Sequence, residues 1–421
     1  MKMVIIGGGF GGLRLARQIS RDKRLDITLI DRYNFHQFQP LFYQVATAGL
    51  DASNISFPLR KVLHKERNIH FRMAKVTSLD AARSLVVSDE ATFSYDILVL
   101  ATGADTNFFG NEELMAHCYP MKSTMEALQI KYRLLKNMEE ALYAREEDAL
   151  LRLMTVVVVG GGPTGVEMSG AIADMRRFVF PKDYPELDFS KMKIYLLEGS
   201  PRTLASMSDK ASSDSQQYLQ QLDVIVKTGT AVKSYDGTVV TMQSGETIPT
   251  AMVIWAAGIK GNIPEGIEKS MIVKGNRIPV DRFNKVQGMD NVYAIGDVAS
   301  MVTEKYPHGH PQVASVAIAQ GKWLARNLIK KMNHLPQEPF EYHDKGSMAT
   351  VGRNLAVVDI PKPRVHFKGF FAWLIWMTLH LFLLLGVKNR VAVFFNWMYN
   401  YVTYDQNLRL IFRASKKSTT E

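Results

Sequence analysis

Two segments of the chain repeat the same order of apolar and polar positions. Val4-Ile5-Ile6 precedes Gly7-Gly8-Gly9-Phe10-Gly11-Gly12, and Val156-Val157-Val158-Val159 precedes Gly160-Gly161-Gly162-Pro163-Thr164-Gly165, 153 residues later. Each apolar run is short and continuous, as in a strand that is buried on both faces, and each glycine turn leads into residues with helical spacing. Both segments therefore predict a strand, a tight turn and a helix, the opening unit of a doubly wound sheet.

Further apolar runs extend both predicted sheets. Asp26 to Asp31 and Ile97 to Leu100 are expected strands of the first sheet, and Ile194 to Leu197 is an expected strand of the second. Residues 124–153 have helical spacing, and the prolines within residues 180–185 predict an inserted loop. Residues 292–295 predict another strand, and residues 313–331 a helix. The simplest architecture is an α/β fold in which one dinucleotide-binding domain (121–279) is inserted into another (1–120 and 280–340).

The glycine turns predict two dinucleotide sites. A turn of this kind holds a pyrophosphate against backbone N–H groups at a helix N-terminus, and an acid at the end of the next strand accepts from a ribose hydroxyl. Asp31 lies nineteen residues after Gly12, and Glu198 lies 33 residues after Gly165. Two such sites in one chain indicate a protein that moves electrons between two bound dinucleotides.

Local chemistry suggests which nucleotide each site takes. Gly296-Asp297 at a strand end, together with an N-terminal glycine turn, is expected for FAD, although a simple turn is the alternative. Glu198 favours NADH because a carboxylate repels a 2′-phosphate, while nearby Arg202 weakens that preference. Glu167 is expected in the first turn of its helix, where it either stabilises the helix dipole or contacts the nicotinamide ribose or the flavin edge.

Charge separates the tail from the rest of the chain. The net charge is +10, and residues 360–421 carry nine cations against two acids, a net of +7. A basic tail binds nucleic acid or an anionic lipid surface, and the apolar residues between its charges favour lipid over nucleic acid. Met1-Lys2-Met3 and the three apolar residues that follow are too few for a signal peptide, so the bulk of the chain is expected to stay on the side where it is made.

The apolar stretch of the tail has two interpretations. Gly369 to Gly386 has 18 residues without formal charge, about 27 Å as a helix, which is at the limit for crossing a bilayer. Basic residues flank both of its ends, which is not typical of a span. In the following segment, 391–412, Asn396, Asn400, Thr403 and Asn407 form a polar stripe on an otherwise apolar helix. We expect residues 341–421 to lie on the membrane with this stripe toward water, held to anionic lipid by residues 362–417.

Other reactive side chains are assigned structural roles. Cys118 is the only cysteine, so a disulfide and a CxxC relay are excluded, and a small buried hydrophobe is expected. His308-Gly309-His310 lacks companion ligands, and a solvated loop is favoured over a metal site. His380 either relays protons or is an interfacial histidine with a satisfied partner, and the second interpretation is favoured. No metal is expected.

Six motifs together resemble those of the type II NADH:quinone oxidoreductases, single-chain FAD enzymes of respiratory membranes that do not pump protons. The motifs are the first glycine turn with its strand, Gln39-Pro40-Leu41-Phe42-Tyr43-Gln44-Val45-Ala46, Thr164-Gly165-Val166-Glu167, Trp255-Ala256-Ala257-Gly258, Ala294-Ile295-Gly296-Asp297 and Gly346-Ser347-Met348-Ala349-Thr350. The resemblance implies hydride transfer from NADH to FAD and transfer of two electrons to a membrane quinone. The flavin supplies this chemistry and the protein orients it.

The resemblance also implies the site residues. FAD would be held by Gly7, Gly9, Gly12, Asp31, Val76, Thr102, Gly103, Gly296 and Asp297, with Gln44 near the flavin. NADH would be held by Gly162, Gly165, Glu167, Glu198, Ala257 and Gly258. Glu167, Gln44 and Ser315 are the candidate catalytic residues. The protein is expected at the cytoplasmic face of a bacterial inner membrane, as a peripheral homodimer whose tails lie side by side.

One segment departs from the family pattern. The helix after Gly296-Asp297 usually carries Ala-Gln-x-Ala-x-Gln, whose glutamines line the quinone site, whereas this chain has serine and alanine at Ser315 and Ala319. Ser315 still offers a hydroxyl to a quinone carbonyl. Two alternatives therefore stay open: a reductase whose acceptor is a protein or oxygen, and a membrane-bound flavoprotein that senses redox state. Sulfide:quinone oxidoreductases need a pair of active cysteines, so the single cysteine argues against them.

Overall fold

The structure, a computed structural model, describes residues 1–411. The helices are α1 Phe10–Ile19, α2 Phe42–Ala46, α3 Leu59–Leu63, α4 Glu112–His117, α5 Thr124–Ala141, α6 Glu147–Leu153, α7 Pro163–Asp174, α8 Phe180–Asp183, α9 Asp209–Gln221, α10 Ala314–Met332, α11 Gly369–Leu383 and α12 Val387–Thr403. The strands are β1 Lys2–Ile6, β2 Asp26–Asp31, β3 Phe35–Gln37, β4 Ser56–Pro58, β5 Ile69–Met73, β6 Val76–Asp80, β7 Leu85–Ser88, β8 Thr92–Ser94, β9 Ile97–Leu100, β10 Ala104–Thr106, β11 Tyr119–Pro120, β12 Thr155–Val159, β13 Lys193–Leu197, β14 Val224–Lys227, β15 Val232–Tyr235, β16 Val239–Met242, β17 Thr247–Pro249, β18 Met252–Trp255, β19 Ile259–Gly261, β20 Ile278–Pro279, β21 Val292–Ala294, β22 Ala299–Ser300, β23 Ser347–Thr350, β24 Ala356–Ile360 and β25 Val365–Lys368.

The chain forms two compact units. Unit 1 comprises Met1–Gln37, Ser56–Asp105 and Ile259–Lys345, and unit 2 comprises Phe38–Ile55, Thr106–Gly258 and the described residues from Gly346 onward. The segment Phe38–Ile55 thus belongs to unit 2 although its neighbours in sequence belong to unit 1. The domain boundaries given above from the sequence stay predictions.

Unit 1 is built on a parallel sheet with the strand order β21-β9-β1-β2-β5. The apolar runs of its central strands β9 and β1, Ile97–Leu100 and Met3–Ile6, are buried, as their continuity predicts. Strand β21, from near residue 292, pairs with β9 in the same sheet as the N-terminal strand, which confirms the predicted insertion. Helices α1 and α10 pack so closely that a Cβ on Gly321 would lie 2.4 Å from the Gly11 carbonyl oxygen.

Unit 2 repeats this plan with the strand order β11-β18-β12-β13-β14, all parallel. Helix α7 follows β12 and packs against β23, the first strand of a small antiparallel sheet, β23-β24-β25. A Cβ on Gly170 of α7 would lie 2.4 Å from the amide nitrogen of Gly352, which leaves no room for a side chain. The C-terminal sheet therefore lies directly on the helix that follows the second glycine turn.

The loop predicted around residues 180–185 is partly helical. After α7 the chain makes a π-helical turn at Met175–Val179 and then the short helix α8. Pro181 lies in the first turn of α8, where a missing N–H costs nothing because that amide has no partner inside the helix. The proline therefore begins a helix here, and the prediction of an irregular loop was wrong for Phe180–Asp183.

The polar stripe predicted for the tail faces protein at one position and solvent at others. Helix α12 ends at Thr403, so Asn407 lies beyond it, and both residues are exposed. The side-chain amide of Asn400 donates to the Gly49 carbonyl at 3.0 Å. The side-chain amide of Asn389, which lies outside the predicted stripe, donates to the Ser53 and Asn54 carbonyls, both at 3.0 Å. The prediction that the stripe faces water was therefore wrong for Asn400.

Apolar side chains occupy the opposite side of the C-terminal helices. Phe371 and Phe382 of α11 and Phe395 and Val402 of α12 are each more than 60% exposed. Helix α11 has 15 residues, about 22 Å in length. Among residues 1–411, none of the helices has both the length and the apolarity to cross a membrane. The predicted lipid-binding cations Arg413, Lys416 and Lys417 lie outside the described residues.

Candidate functional site

The first glycine turn leaves space for a phosphate. Gly7 has φ +107°, a conformation that glycine adopts without strain. A Cβ on Gly12 would lie 1.9 Å from the Gly7 carbonyl oxygen, so helix α1 can approach β1 only with glycine there. A Cβ on Gly9 would meet no atom within 4 Å. Because Gly9 caps α1, a phosphate in this open space would meet unpaired N–H groups of the helix N-terminus. The turn therefore fits the pyrophosphate of FAD.

Asp31 tightens the same turn. One of its carboxylate oxygens accepts from the Gly8 amide at 2.6 Å and the other from the Tyr33 amide at 2.8 Å. Burial raises the pKa of Asp31, and the two amide hydrogen bonds oppose that rise. A carboxylate has about four lone-pair sites, so a ribose hydroxyl can still bind to it. The ribose contact itself stays a prediction.

The remaining predicted FAD residues gather at one edge of the unit 1 sheet. Thr102 and Gly103 follow β9, Gly296 and Asp297 follow β21, and Val76 begins the strand after β5. In a doubly wound sheet, ligands bind outside the carboxyl ends of the strands. A Cβ on Gly103 would meet nothing within 4 Å. The fold thus brings together residues that are separated by more than 200 positions in sequence.

Two glutamines of unit 1 have a structural role that the sequence did not indicate. The Gln320 side-chain oxygen accepts from the Gly296 amide at 2.7 Å, and the Gln312 side-chain amide donates to the Asp297 carbonyl at 2.9 Å. Both side chains fix the Gly296-Asp297 turn. The signal available in the sequence was their position close to Ser315: Gln320 lies in α10 and Gln312 lies just before it.

Ser315 lies in the first turn of α10. Its hydroxyl is 2.8 Å from the hydroxyl of Tyr342, and both residues belong to unit 1. Tyr342 was not identified from the sequence, because it lies in a segment without regular secondary structure. Ser315 is half-buried, so its hydroxyl is available to a further partner.

The second glycine turn repeats the first in unit 2. Gly160 has φ +109°, a Cβ on Gly165 would lie 1.8 Å from the Gly160 carbonyl oxygen, and the Gly162 position is open. Glu198 accepts from the Gly161 amide and, at 2.6 Å, from the Ser200 amide. The turn fits the pyrophosphate of a second dinucleotide. Arg202 pairs with Asp209, so its charge is already engaged.

An exposed aromatic ring covers part of this site. A Cβ on Gly258 would lie 2.7 Å from the ring of Phe109, whose side chain is 69% exposed. Gly258 has φ +75° and follows Ala257 after strand β18. Phe109 itself adopts a left-handed backbone, φ 53°, which is unusual for a bulky residue. No motif or periodicity indicates a role for Phe109.

Glu167 is a buried acid in the second turn of α7, not in the first turn as predicted. The helix begins at Pro163, so Glu167 is its fifth residue. Its side chain is within 3.5 Å of the Thr350 amide, which donates to it. Burial raises the pKa of Glu167 to about 8, against the smaller opposing effects of hydrogen bonds from Thr350 and Trp376. Stabilisation of the helix dipole is therefore not its main role, because the group is largely protonated at neutral pH.

Gln44 and Tyr43 connect to this acid through Thr350. The Gln44 amide donates to the Tyr43 hydroxyl at 2.9 Å, and the Tyr43 hydroxyl lies 3.0 Å from the Thr350 hydroxyl. Burial, and then the charge of Glu167, raise the pKa of Tyr43 well above its usual range. All four residues belong to unit 2. Two predicted site residues, Gln44 and Glu167, therefore meet in one buried polar cluster.

A second buried acid lies near this cluster. Burial raises the pKa of Asp174 to about 7, although Arg353 lowers it in part. Asp174, Arg353 and Gln44 line a cavity of about 140 Å³, and a wider, mainly apolar cavity of about 320 Å³ lies between α11 and α12. Trp373, Met377, Trp397 and Tyr401 line both cavities. The cavities therefore adjoin each other.

The remaining reactive side chains are buried. His310 is 1% exposed and burial lowers its pKa to about 4, so the solvated loop predicted for it was wrong. His380 has the satisfied partner predicted for it, because one ring nitrogen lies 2.8 Å from the Trp376 carbonyl. Burial lowers the pKa of His380 to about 4 and raises that of Cys118 to about 12. Residues 1–411 contain no cluster of three acidic, histidine or cysteine side chains suited to a metal.

Comparison with known proteins indicates the family of this chain. The pyridine nucleotide-disulphide oxidoreductase family matches residues 1–321, and the NDH2 C-terminal domain matches residues 344–403. The chain is similar to the type II NADH:quinone oxidoreductases Ndh (35% identity, covering 96% of this chain and 88% of the relative) and NdhA (36%, covering 94% and 86%) of Mycobacterium tuberculosis. Its fold is similar to that of NDH2 from Plasmodium falciparum in complex with NADH, with a TM-score of 0.87, 21% identity and coverage of 98% of this chain and 99% of that one. With this identity over nearly its whole length, and with two matching glycine-turn units, the chain belongs to the family of type II NADH:quinone oxidoreductases.

Proposed function

We propose that this protein takes a hydride from NADH onto FAD and passes two electrons to a membrane quinone without pumping protons. The observation that carries the proposal is the pair of glycine turns, each open at its third glycine and each tied to an acid of the next strand. One chain thus has a cradle for each of two dinucleotides. The family of the chain supports quinone as the acceptor.

The residues of unit 1 would hold FAD. Gly7, Gly9 and Gly12 shape the phosphate cradle, Asp31 binds the ribose, and Val76, Thr102, Gly103, Gly296 and Asp297 complete the edge of the sheet. When bound, the flavin accepts the hydride and releases its electrons to the quinone. Ser315 would donate a hydrogen bond to a quinone carbonyl, since its hydroxyl can rotate away from Tyr342.

The residues of unit 2 would hold NADH and handle protons. Gly162 and Gly165 shape the second cradle, Glu198 selects NADH by repelling a 2′-phosphate, and Ala257 and Gly258 border the site. Reduction of a quinone consumes two protons. Glu167 retains a proton at neutral pH and can release it at little cost, because its pKa is about 8. Gln44 and Tyr43 would orient this acid through Thr350.

The C-terminal helices would attach the protein to lipid. Their outer side exposes four large apolar side chains, and Lys388 and Arg390 lie in the first turn of α12. Each buried apolar side chain contributes about 1.5 to 3 kcal/mol, and each cation near an anionic surface about 1 kcal/mol. The apolar cavity between α11 and α12 opens on the same helices, so a quinone tail would enter there. We propose attachment to the cytoplasmic face, as a homodimer with adjacent tails.

An anaerobic titration tests the central proposal. NADH should bleach the flavin of the purified holoenzyme, and a ubiquinone or menaquinone analogue should restore the flavin absorbance. Bleaching without recovery would remove quinone as the acceptor, and no bleaching would remove the NADH assignment.

In a flotation assay, Phe395→Asp should weaken binding to anionic vesicles, whereas the exposed unit 1 substitution Arg83→Gln should not. Equal flotation of the two variants would contradict attachment through α12.

Ser315 and Ala319 support a second candidate acceptor, a protein or oxygen. The double substitution Ser315→Gln and Ala319→Gln restores the pattern usual in the family and separates the two proposals. If quinone is the natural acceptor and the two side chains bind it, its KM should change by about tenfold or more, the value of one hydrogen bond. An unchanged KM, together with faster turnover on oxygen or ferredoxin than on quinone, would favour the second candidate.

A further inference from the structure

The two C-terminal helices each bring one indole ring to the buried polar cluster of unit 2. Trp397 of α12 donates from its ring nitrogen to the Gln44 side-chain oxygen at 2.7 Å. Trp376 of α11 lies beside the same cluster, with its ring centroid 6.2 Å from that of Tyr43. Trp376 and Trp397 are 1% and 8% exposed, and their rings lie 6.2 Å apart. Both C-terminal helices therefore pack against the cluster, and α12 supplies a hydrogen-bond partner to the candidate catalytic residue Gln44.

The indole of Trp397 determines which way the Gln44 amide points. An indole nitrogen only donates, so Gln44 must present its oxygen to Trp397. The NH2 group of Gln44 is then directed to the Tyr43 hydroxyl, which it contacts at 2.9 Å. Without the indole, the amide could rotate by 180° and exchange its donor for its acceptor. The orientation of Gln44 thus depends on a residue 353 positions away in sequence.

Trp397 is held in place in turn by hydrogen bonds that lie before and after it along α12. Asn389 and Asn400 donate to backbone carbonyls of the segment that follows Gln44, as described above. At the other end, the Arg353 guanidinium donates to the Asn400 carbonyl at 2.9 Å and also to that of Tyr401, which satisfies carbonyls left open at the helix C-terminus. Trp397 lies between these anchors. Helix α12 cannot move along its axis without displacing Trp397 from Gln44.

We infer that Trp397 is a positioning residue of the reaction, through which the membrane-attaching helix α12 holds Gln44 in its working orientation. This inference rests on the proposed function. It assigns the tail a role beyond attachment, because the outer face of α12 would contact lipid while Trp397 on its inner face orients a residue that serves quinone reduction.

The first test separates the two half-reactions of the holoenzyme. Trp397→Phe removes the donor and keeps an aromatic ring, and Trp323→Phe, which removes an indole that bonds the Glu338 carbonyl in unit 1, is the matched control. Flavin reduction by NADH should stay within twofold of the wild-type rate. Reoxidation by a water-soluble quinone should fall about tenfold in Trp397→Phe, as expected for the loss of one hydrogen bond, and not in Trp323→Phe. Equal loss in both half-reactions would overturn the inference.

A double-mutant cycle tests whether Trp397 acts through Gln44. In the Gln44→Leu background, Trp397→Phe should cause no further loss of the reoxidation rate, since the partner is already absent. Additive losses would overturn the inference. Trp397→His, which retains a ring N–H, should recover part of the rate lost in Trp397→Phe. If Trp397→Phe retains too little FAD for kinetic measurements, Trp397→His replaces it in the cycle. Its effect on the reoxidation rate is then measured once with Gln44 present and once in the Gln44→Leu background.

The outcomes keep the inference separate from the proposed function. Wild-type protein that is reduced by NADH and reoxidised by quinone upholds the function whatever the variants do. Trp397 variants that match wild type in the rate of reoxidation then overturn only the inference. Wild-type protein that quinone does not reoxidise overturns the function itself.

Discussion

The helices that follow the two glycine turns begin with the same backbone conformation, but within two turns their side chains differ in charge and in exposure. With Gly7 aligned to Gly160, the position of Glu167 in α7 corresponds to Arg14 in α1, and that of Asp174 corresponds to Arg21. Both arginines are exposed, whereas Glu167 is buried and Asp174 is half-buried. Gly170, which admits the C-terminal sheet, corresponds to the exposed Arg17. The phosphate cradle is thus common to both units, and the acid cluster exists only where a further layer covers the helix.

The strongest test of the shared cradle is to fill it. Gly12→Ala and Gly165→Ala place a Cβ within 2 Å of a carbonyl oxygen, so each should cost more than about 4 kcal/mol of stability. Gly12→Ala should also abolish FAD retention, and Gly165→Ala should abolish NADH binding. Thermal unfolding measures stability, bound FAD after gel filtration measures the first loss, and NADH titration measures the second. Gly9→Ala is the control for stability alone, since its Cβ meets no protein atom within 4 Å. A Gly165→Ala protein with wild-type stability would show that the two cradles differ.

Glu167→Gln tests the difference between the units. The pKa of Glu167 is about 8 in the folded protein, against an ordinary value of 4.5. At a pH between these two values, the carboxyl group is therefore ionised in the unfolded chain and protonated in the folded protein. Glu167 should therefore make wild-type stability fall as pH rises from about 5 to about 8, by about 3 kcal/mol at pH 7. The variant should lack about half of the total fall, because Asp174, whose pKa is about 7 against an ordinary value of 3.8, should contribute a similar amount. Urea unfolding at pH 5 and pH 7 measures the difference, and parallel pH curves would contradict it.

Arg353→Leu tests the layer that covers α7. The guanidinium donates to two carbonyls at the end of α12 and stacks on Tyr404, 3.7 Å from its ring centroid. Its loss should cost about 2 kcal/mol and raise the pKa of Asp174 further. Arg353→Lys keeps the charge without the forked geometry and should show an intermediate loss. If Arg353→Lys loses as much stability as Arg353→Leu, the charge contributes nothing here.

The smallest effect is expected at the counterpart of Glu167. Arg14 is exposed, so Arg14→Gln should change stability by less than about 0.5 kcal/mol and leave its pH dependence unaltered. The same urea unfolding series measures it. A pH-dependent loss in Arg14→Gln would mean that the two helices differ less than their environments indicate.

Local patterns were sufficient for the elements around the cradles. Continuous apolar runs, glycine spacing and the strand-end acids Asp31 and Glu198 identified both βα units, because each signal lies within a few residues of the feature it specifies. Contacts between residues far apart in sequence could not be predicted in this way. The Asn400 side chain of α12 bonds a backbone carbonyl 351 residues away, and periodicity predicts a polar face without saying what covers it. Trp397 likewise bonds Gln44, 353 residues away, and no local pattern indicates that contact.

The close approach of Gly170 to Gly352 has a consequence for how the protein is made. A ribosome synthesises α7 well before the strand that lies on it, so the nascent chain exposes Glu167, Asp174 and the surface under the C-terminal sheet to water until that sheet has been made. Contacts of such long sequence separation form late and slowly. The acid cluster of this enzyme therefore forms after the cradles, and a copy terminated before Gly346 would leave both cradles formed but the acid cluster open.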